Sequence, residues 1–553
     1  MMKRAMFLAF IALIIGGCGV VPASLATETV NPTNTPLPAD YPWWTEKVGY
    51  EIFVRSFYDS DGDGIGDFNG ITQKLDYLND GDPTTTSDLG VSAIWLMPIF
   101  PSPSYHGYDV TDYYDVNPQY GTMEDFRRLV DEAHKRGIKV IIDMVLNHTS
   151  DLHPWFTSAD KDINSPYRGW YIWSETDPGY KGPDDQTVWH PSPTGFYYGL
   201  FDASMPDLNY ANPDVTAEMD KVTSFWLQDV GVDGFRLDAI KHLIENNRMQ
   251  ENTHATHEWL KEFHKTYKSM NPNAITIGEL YGNNVSSLNT YTMGGELDLA
   301  FNFDLSDALV ISAKVGSALT ASRAYINTDK ILEPRQYSPF LTNHDQNRVL
   351  SELGGNLDKA KVAASLLLTS PGMPFIYYGE EIGMEGTKPD EDIRRPMQWS
   401  SSPNGGFTLG TPWEPLNPSF NEKNVEDQIS DPKSLLSHYR DLIQIRNAHP
   451  VLQSGEQEMI STGNNQVFAS LRSNDEEGMI VLINLSDKPA SEYALSVDQS
   501  PLNEENFLAK SLMGEPVESP FIIDSSGGFN DYKPLDTLPP YSTTVILLTP
   551  STR

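Results

Sequence analysis

Residues 93–100 (AIWLMPIF), 122–136 (TMEDFRRLVDEAHKR) and 139–147 (KVIIDMVLN) form an apolar run, an amphipathic run and a second apolar run. In the middle one Phe126, Leu129, Val130 and Ala133 recur at i, i+3, i+4 and i+7, so a helix there presents a single apolar stripe. Thr122 can cap its start with Asp125 three residues on, and Gly137 ends it. The triplet is a strand–helix–strand unit. Further apolar strands are expected at 49–57, 233–240, 275–280, 297–303, 337–344 and 372–383, with helical stretches between them. Eight strands in this order predict an α/β fold, a (β/α)8 TIM barrel with its helices outside. The alternative is an open doubly wound sheet, but no Gly-rich dinucleotide loop follows the first strand.

The rhythm breaks from His148 to about Ser204, a stretch rich in Trp, Tyr, Pro, Gly and Asp, which reads as a subdomain inserted after strand 3. Residues 433–446, with Leu435, Tyr439, Leu442 and Ile443 on one face, read as the eighth helix. Short strands at 466–472, 478–485 and 543–548 predict a C-terminal antiparallel β-sandwich domain. The N-terminus differs from all of this. Lys3 and Arg4 precede an apolar run from Met6 to Ile15 and then IGGC, residues 15–18. That pattern reads as an export signal too short to span a bilayer permanently. The expected organisation is therefore a signal peptide (1–18), a Pro/Thr-rich tether (19–40), barrel (41–147), insert (148–207), barrel (208–452) and C-terminal domain (453–553).

The chain has 553 residues, with 76 Asp+Glu against 39 Lys+Arg and a formal charge of −37. Such a balance repels phosphate backbones and excludes nucleic-acid binding through a basic surface. The one cysteine, Cys18, excludes an intramolecular disulfide and a Cys-based zinc site.

The chemistry of a barrel sits at the C-terminal ends of its strands. Asp238, Glu279 and Asp345 end the fourth, fifth and seventh predicted strands, and Arg236 shares a strand face with Asp238. Converging carboxylates shift one another's pKa values. Glycoside hydrolysis requires such a set, one acid protonated to meet the leaving oxygen and one ionised beside the anomeric carbon.

The stretches DMVLNH (143–148), GFRLDAIKH (234–242), GEL (278–280), FLTNHD (340–345) and MPDLN (205–209) occur in an order that resembles the α-amylase superfamily, glycoside hydrolase family 13. The resemblance implies a retaining mechanism. Asp238 would be the nucleophile, Glu279 the acid and then the base, and Asp345 the group that binds sugar hydroxyls and favours the distorted sugar. The carboxyls of Asp238 and Glu279 would lie about 5–5.5 Å apart. It further implies that Arg236 orients Asp238, that His148 and His344 contact sugar hydroxyls, that Tyr108 stacks beneath the ring, and that Lys241 reaches a sugar on the leaving side. IGGC resembles a bacterial lipobox, which implies an exported, lipid-anchored protein whose only membrane attachment is that lipid.

Residues 59–67 (DSDGDGIGD) space Asp59, Asp61, Asp63 and Asp67 at positions 1, 3, 5 and 9, with the Ile65 carbonyl at 7. That spacing wraps a hard cation, and Ca²⁺ is expected there. The family resemblance implies a second calcium site from the Asn147 side chain, Asp207 and the His242 carbonyl.

Two features point to an endo-acting enzyme on starch, glycogen and maltooligosaccharides. Lys241-His242 resembles the amylase version of its motif, and Tyr105 stands where exo-acting relatives carry an Asp that grips a terminal sugar. RRPMQW (394–399) and MPDLN resemble the oligo-1,6-glucosidase side instead, a mixture like that of the group between those enzymes and neopullulanases. It leaves exo action, α-1,6 hydrolysis and transglycosylation as alternatives. A monomer is expected.

Overall fold

The computed structural model of the chain describes residues 42–82, 84–474, 477–502 and 506–550. The expected signal, Cys18 and the 19–40 tether lie outside the described residues. The first strands are β1 (Gly49–Ile52), β2 (Ala93–Leu96) and β3 (Lys139–Met144). After β4 (Trp173–Ser174), β5 (Trp189–Ser192) and β6 (Gly195–Tyr198) come β7 (Gly234–Leu237), β8 (Ile275–Gly278), β9 (Leu299–Phe301), β10 (Tyr337–Ser338) and β11 (Phe375–Tyr377).

Strands β1, β2, β3, β7, β8, β9 and β10 pair in that order, all parallel, and β11 pairs with the free edge of β1. The seam between β10 and β11 is closed by backbone hydrogen bonds from Met373 N–H to the Tyr337 carbonyl (3.2 Å) and from Phe375 N–H to the Pro339 carbonyl (2.9 Å). This is the expected eight-stranded barrel. Strand seven is shorter than predicted because Pro339 has no N–H to donate to a ladder.

Alternation along each strand decides what fills the barrel. Trp95, Ile141, Ile275, Ile277, Leu299, Phe301 and Phe375 form one interior cluster, whereas Ile94, Leu96, Val140, Ile142, Phe235 and Leu237 join the core beneath the helices. The register sets Glu51 opposite Trp95, and Asp143 opposite Arg236, which itself faces Ile277. Polar groups thus take over the inward positions at the C-terminal end. The helix Met123–Lys135 carries the predicted Thr122/Asp125 capping box and buries Phe126, Leu129, Val130 and Ala133. Helix Leu435–Ala448 begins at the Ser434 cap and buries Tyr439, Leu442 and Ile443.

Between β3 and β7 lie the helix Pro154–Lys161, which the sequence pattern did not announce, and a three-stranded antiparallel sheet, β4-β6-β5. After the barrel come β12 (Glu456–Met459), β13 (Val467–Ser473), β14 (Gly478–Asn484), β15 (Leu495–Val497), β16 (Asn506–Met513), β17 (Glu518–Ile522), β18 (Phe529–Tyr532) and β19 (Thr543–Pro550). They form a six-stranded antiparallel sheet and a two-stranded one around Leu471, Ile480, Phe507, Phe521 and Ile546, which accords with the predicted antiparallel C-terminal region. No helix among the described residues is long and apolar enough to cross a membrane.

Candidate active site

Asp238 follows β7 directly and Glu279 follows β8, so both emerge at the barrel mouth. Asp345 sits on the loop after β10. A single guanidinium joins the first two. Arg236, 1% exposed, donates from Nη1 to Asp238 Oδ1 (2.6 Å) and to both Asp143 oxygens (2.9 and 3.0 Å), while its Nη2 lies 2.8 Å from Glu279 Oε2. Both carboxylates are therefore held within the width of one fork. The Ala239 N–H also donates to Glu279 Oε2 (3.1 Å), from a residue in the left-handed region (φ +48°). A non-glycine residue there is strained, and the strain lies between the two acids.

Beneath Asp345 lies His344, fully buried. Its Nδ1 is 2.5 Å from Glu51 Oε1; its Nε2 is 2.6 Å from the Tyr108 hydroxyl and 3.2 Å from Asp345 Oδ2. Burial works against its charge, but Asp345 and Glu51 outweigh burial and push its pKa up to about 10. His344 is thus an imidazolium donating from both nitrogens. Arg394 bonds Asp345 Oδ1 (2.9 Å) and the His344 carbonyl (2.9 Å). Desolvation pushes the Asp345 carboxyl up, yet His344, then Arg394 and Arg236, hold it well below the usual carboxylate range. Glu279 and Asp238 are raised, chiefly by burial, against the pull of Arg236. The arrangement therefore offers one firmly ionised carboxylate and two that burial raises while one guanidinium holds them together.

These groups open on a cavity of about 340 Å³ lined by Tyr108, His148, Asp238, Glu279, Asp345 and Arg394, with Phe201 and Met205 contributed by the segment before β7. Gly107 brings Tyr108 there. Its φ is +86°, and a Cβ would lie 2.9 Å from Pro98. His148 is buried, which lowers its pKa to about 4, and its Nε2 has no protein partner. Two expected sugar contacts are placed differently. His344 lies under the floor with both nitrogens engaged by protein, so its reach is through Asp345 and Tyr108. Lys241 does not line the cavity and pairs with Glu251 (2.7 Å). Sequence reasoning missed Glu51, Asp143, Asp390 and Arg394 as site residues. Inward parity on β1 and β3 was the available signal for the first two, and the RRPMQW stretch for Arg394.

In the acidic loop, one carboxylate oxygen each of Asp59, Asp61 and Asp67 lie within 4.8 Å of one another, a hard-oxygen set that suits a divalent cation. The Asp63 Oδ1 accepts the Ile65 N–H (2.8 Å), as Asp61 Oδ1 accepts the Asp63 N–H (3.1 Å), so the acids are turned along the loop by the same kind of bond. At the other expected site Asn147 Nδ2 donates to Asp207 Oδ2 (3.0 Å), and Asn147 Oδ1 is buried without a partner. The ring of His242, whose carbonyl is the expected ligand, is fixed by its Nδ1, 2.8 Å from the Gln250 carbonyl. Burial, then Glu245, raises Asp207 well above its ordinary value; Glu245 Oε1 is likewise buried and unpartnered.

Residues 51–455 match the family described as "Alpha amylase, catalytic domain". Alpha-amylase 3 of Dictyoglomus thermophilum is 42% identical over 454 residues, 80% of this chain and 86% of that protein. The oligo-1,6-glucosidase of Parageobacillus thermoglucosidasius is 36% identical over 525 residues, covering 81% and 91%. The crystal structure of the α-amylase from H. orenii superposes with a TM-score of 0.79 at 44% identity, over 91% of this chain and 99% of that one.

Proposed function

The chain belongs to the α-amylase family and is a glycoside hydrolase acting on α-glucans, and from that premise we propose that it is a retaining, endo-acting α-amylase cleaving α-1,4 bonds. The observation that carries the mechanism is the Arg236 guanidinium shared by Asp238 and Glu279. Asp238 Oδ attacks the anomeric carbon as the bond to the leaving oxygen breaks, and Glu279 gives that oxygen its proton. A covalent glycosyl-enzyme results. Glu279, now ionised, takes a proton from water, which attacks the same carbon and releases Asp238. As the oxocarbenium-like state forms, Arg236 remains with Asp238, and Asp345, kept anionic by His344 and Arg394, faces the developing positive charge.

Endo action is supported by Tyr105, which stacks on Trp413 (5.4 Å) at the position of the expected exo clamp. A neutral substrate suits the site because its cations are already matched, Arg236 by Asp143, Asp238 and Glu279, and Arg394 by Asp345 and Asp390. The similarity to oligo-1,6-glucosidases favours a second reading, exo or α-1,6 action. A maltooligosaccharide blocked at its non-reducing end separates the two. The proposed enzyme cuts it internally, with Glu279→Gln inactive; an exo enzyme leaves it intact, and release of products from pullulan would add α-1,6 cleavage.

Two calcium sites belong to the same proposal. Asp59, Asp61, Asp63, Asp67 and the Ile65 carbonyl would hold one, a reading supported by the close oxygens of Asp59, Asp61 and Asp67, and Asn147, Asp207 and the His242 carbonyl the other, where the unpartnered Asn147 and Glu245 oxygens supply free acceptors. A bound ion would tie loops to the barrel. Export with a lipid on Cys18, and a monomeric state, complete the reading.

A further inference from the structure

Asp345 is not fixed by packing. Its side chain is 45% exposed, so its place at the cavity depends on the bonds it makes with His344 and Arg394. Arg394 donates to Asp345 Oδ1 (2.9 Å), the His344 carbonyl (2.9 Å) and Asp390 Oδ2 (3.1 Å). Its guanidinium carbon lies 6.0 Å from the centre of the Tyr105 ring, a cation–π contact. The other ring in contact with Tyr105 is Trp413, stacked at 5.4 Å with 27° between the planes. Neither Tyr105 nor Trp413 lines the catalytic cavity. The row Trp413, Tyr105, Arg394, Asp345 therefore reaches a reacting group from outside it.

Trp413 is held on several sides. Its Nε1 donates to Ser56 Oγ (3.0 Å), Phe53 meets it edge-on (5.9 Å), and the Arg55 guanidinium carbon lies 5.6 Å from its ring centre. Its backbone ends a strap, residues 407–413, that lies along the acidic loop 59–67. The Asp59 N–H donates to the Phe407 carbonyl (3.1 Å), Thr408 Oγ1 donates to Asp59 Oδ2, and the Trp413 N–H donates to the Gly64 carbonyl (2.9 Å). Between these bonds the two backbones touch. A Cβ at Gly410 would lie 2.2 Å from the Gly62 carbonyl oxygen, and one at Gly64 2.0 Å from that of Thr411. Only glycine permits that approach. Leu409, in the middle of the strap, is fully exposed, so the clamp is made at the surface. We propose that Trp413 is a positioning residue: clamped by the strap, it seats Tyr105 against Arg394 and so keeps Asp345 at the sugar being cleaved. This rests on the part given to Asp345 in the mechanism above. Asp345 faces charge that exists only as the bond breaks, so loosening it costs the transition state and not the bound substrate.

The test uses the full chain at one Ca²⁺ concentration and well below each variant's Tm, so that all are equally folded. Trp413→Ala removes the stack and Trp413→Phe keeps an aromatic face. Gly410→Ala pushes the strap off the Gly62 carbonyl while leaving every side chain of the row in place. Trp413→Ala and Gly410→Ala should lower kcat on maltoheptaose about tenfold, the scale of coupling through a packed network, with KM little changed. Trp413→Phe should keep most of the rate. Imidazole NMR gives a readout that a merely structural role would not move. His344 should titrate at lower pH in the two slowed variants, because, against burial, Asp345 ahead of Glu51 raises its pKa. A lower Tm with kcat and the His344 titration unchanged would reduce Trp413 to packing and overturn the proposal. So would slowing with His344 unmoved, or a Trp413→Phe enzyme as slow as Trp413→Ala. A His344 titration that shifts while kcat holds would uphold the positioning and overturn the part given to Asp345.

Discussion

Replacing Glu51 by Gln keeps the shape and one hydrogen bond at His344 and deletes a buried charge. In the native site Glu51 Oε1 is 2.5 Å from Nδ1 and Asp345 Oδ2 is 3.2 Å from Nε2. Burial opposes the imidazolium, yet these two carboxylates lift its pKa from 6.5 to about 10. At about 1.36 kcal/mol per pH unit, that rise is a preference for the charged form of about 5 kcal/mol. Because that rise is what remains after burial has opposed it, the two carboxylates together contribute more, and at least about 2 kcal/mol falls to Glu51. The folded value lies above the unfolded one, so the stabilisation is complete below the unfolded pKa of about 6.5 and is lost as pH rises through about 10. Glu51→Gln should therefore unfold about 2 kcal/mol more easily near pH 6, with the gap closing above about pH 10. Its His344 should titrate at lower pH by imidazole NMR. Once neutral, the ring keeps its Nδ1–H for the amide oxygen of the substituted side chain and turns a lone pair toward Asp345, so kcat should fall while KM changes little. A variant as stable as the parent near pH 6, with His344 titrating unchanged, would refute the carboxylate–imidazolium–carboxylate reading.

Excess chelator should lower Tm if the acidic loop holds calcium, since saturation at a hundredfold over Kd stabilises by about 2.7 kcal/mol; calorimetry with and without added Ca²⁺ checks it. Trp226→Ala should cost about 3–5 kcal/mol in denaturant unfolding, because Trp226 is fully buried against Phe100 and Phe126 and its Nε1 donates to the Tyr113 carbonyl (2.8 Å). If a lipid on Cys18 anchors the protein, Cys18→Ser should move it from the membrane to the soluble fraction without changing its activity, as fractionation would reveal.

Much of the fold was legible because the barrel strands are buried on both faces and their punctuation is local. Thr122, Asp125 and Gly137 bounded a helix that the structure places at Met123–Lys135. Strand lengths were less legible, since a ladder depends on the neighbour's register and on Pro339, not on apolarity alone. The helix Pro154–Lys161 escaped because only Phe156 and Ala159 are buried, too few to make a periodic stripe. At the site, the acids at strand ends were readable from position. Glu51 was not, because a lone carboxylate in an apolar strand declares its purpose only when His344, 293 residues away, is seen beside it. Lys241 shows the converse: a motif named it, and its partner in space is Glu251.

Asp143, Asp238, Glu279, Asp345 and Glu51 stand against Arg236, Arg394 and the His344 imidazolium, which leaves the mouth of the barrel with more acidic than basic groups. A sugar mimic with a ring nitrogen would accordingly be drawn in as its ammonium form, and its grip should weaken as the medium becomes acidic enough to discharge the carboxylates. Such compounds would report the electrical state of the pocket directly, without any bond being cut.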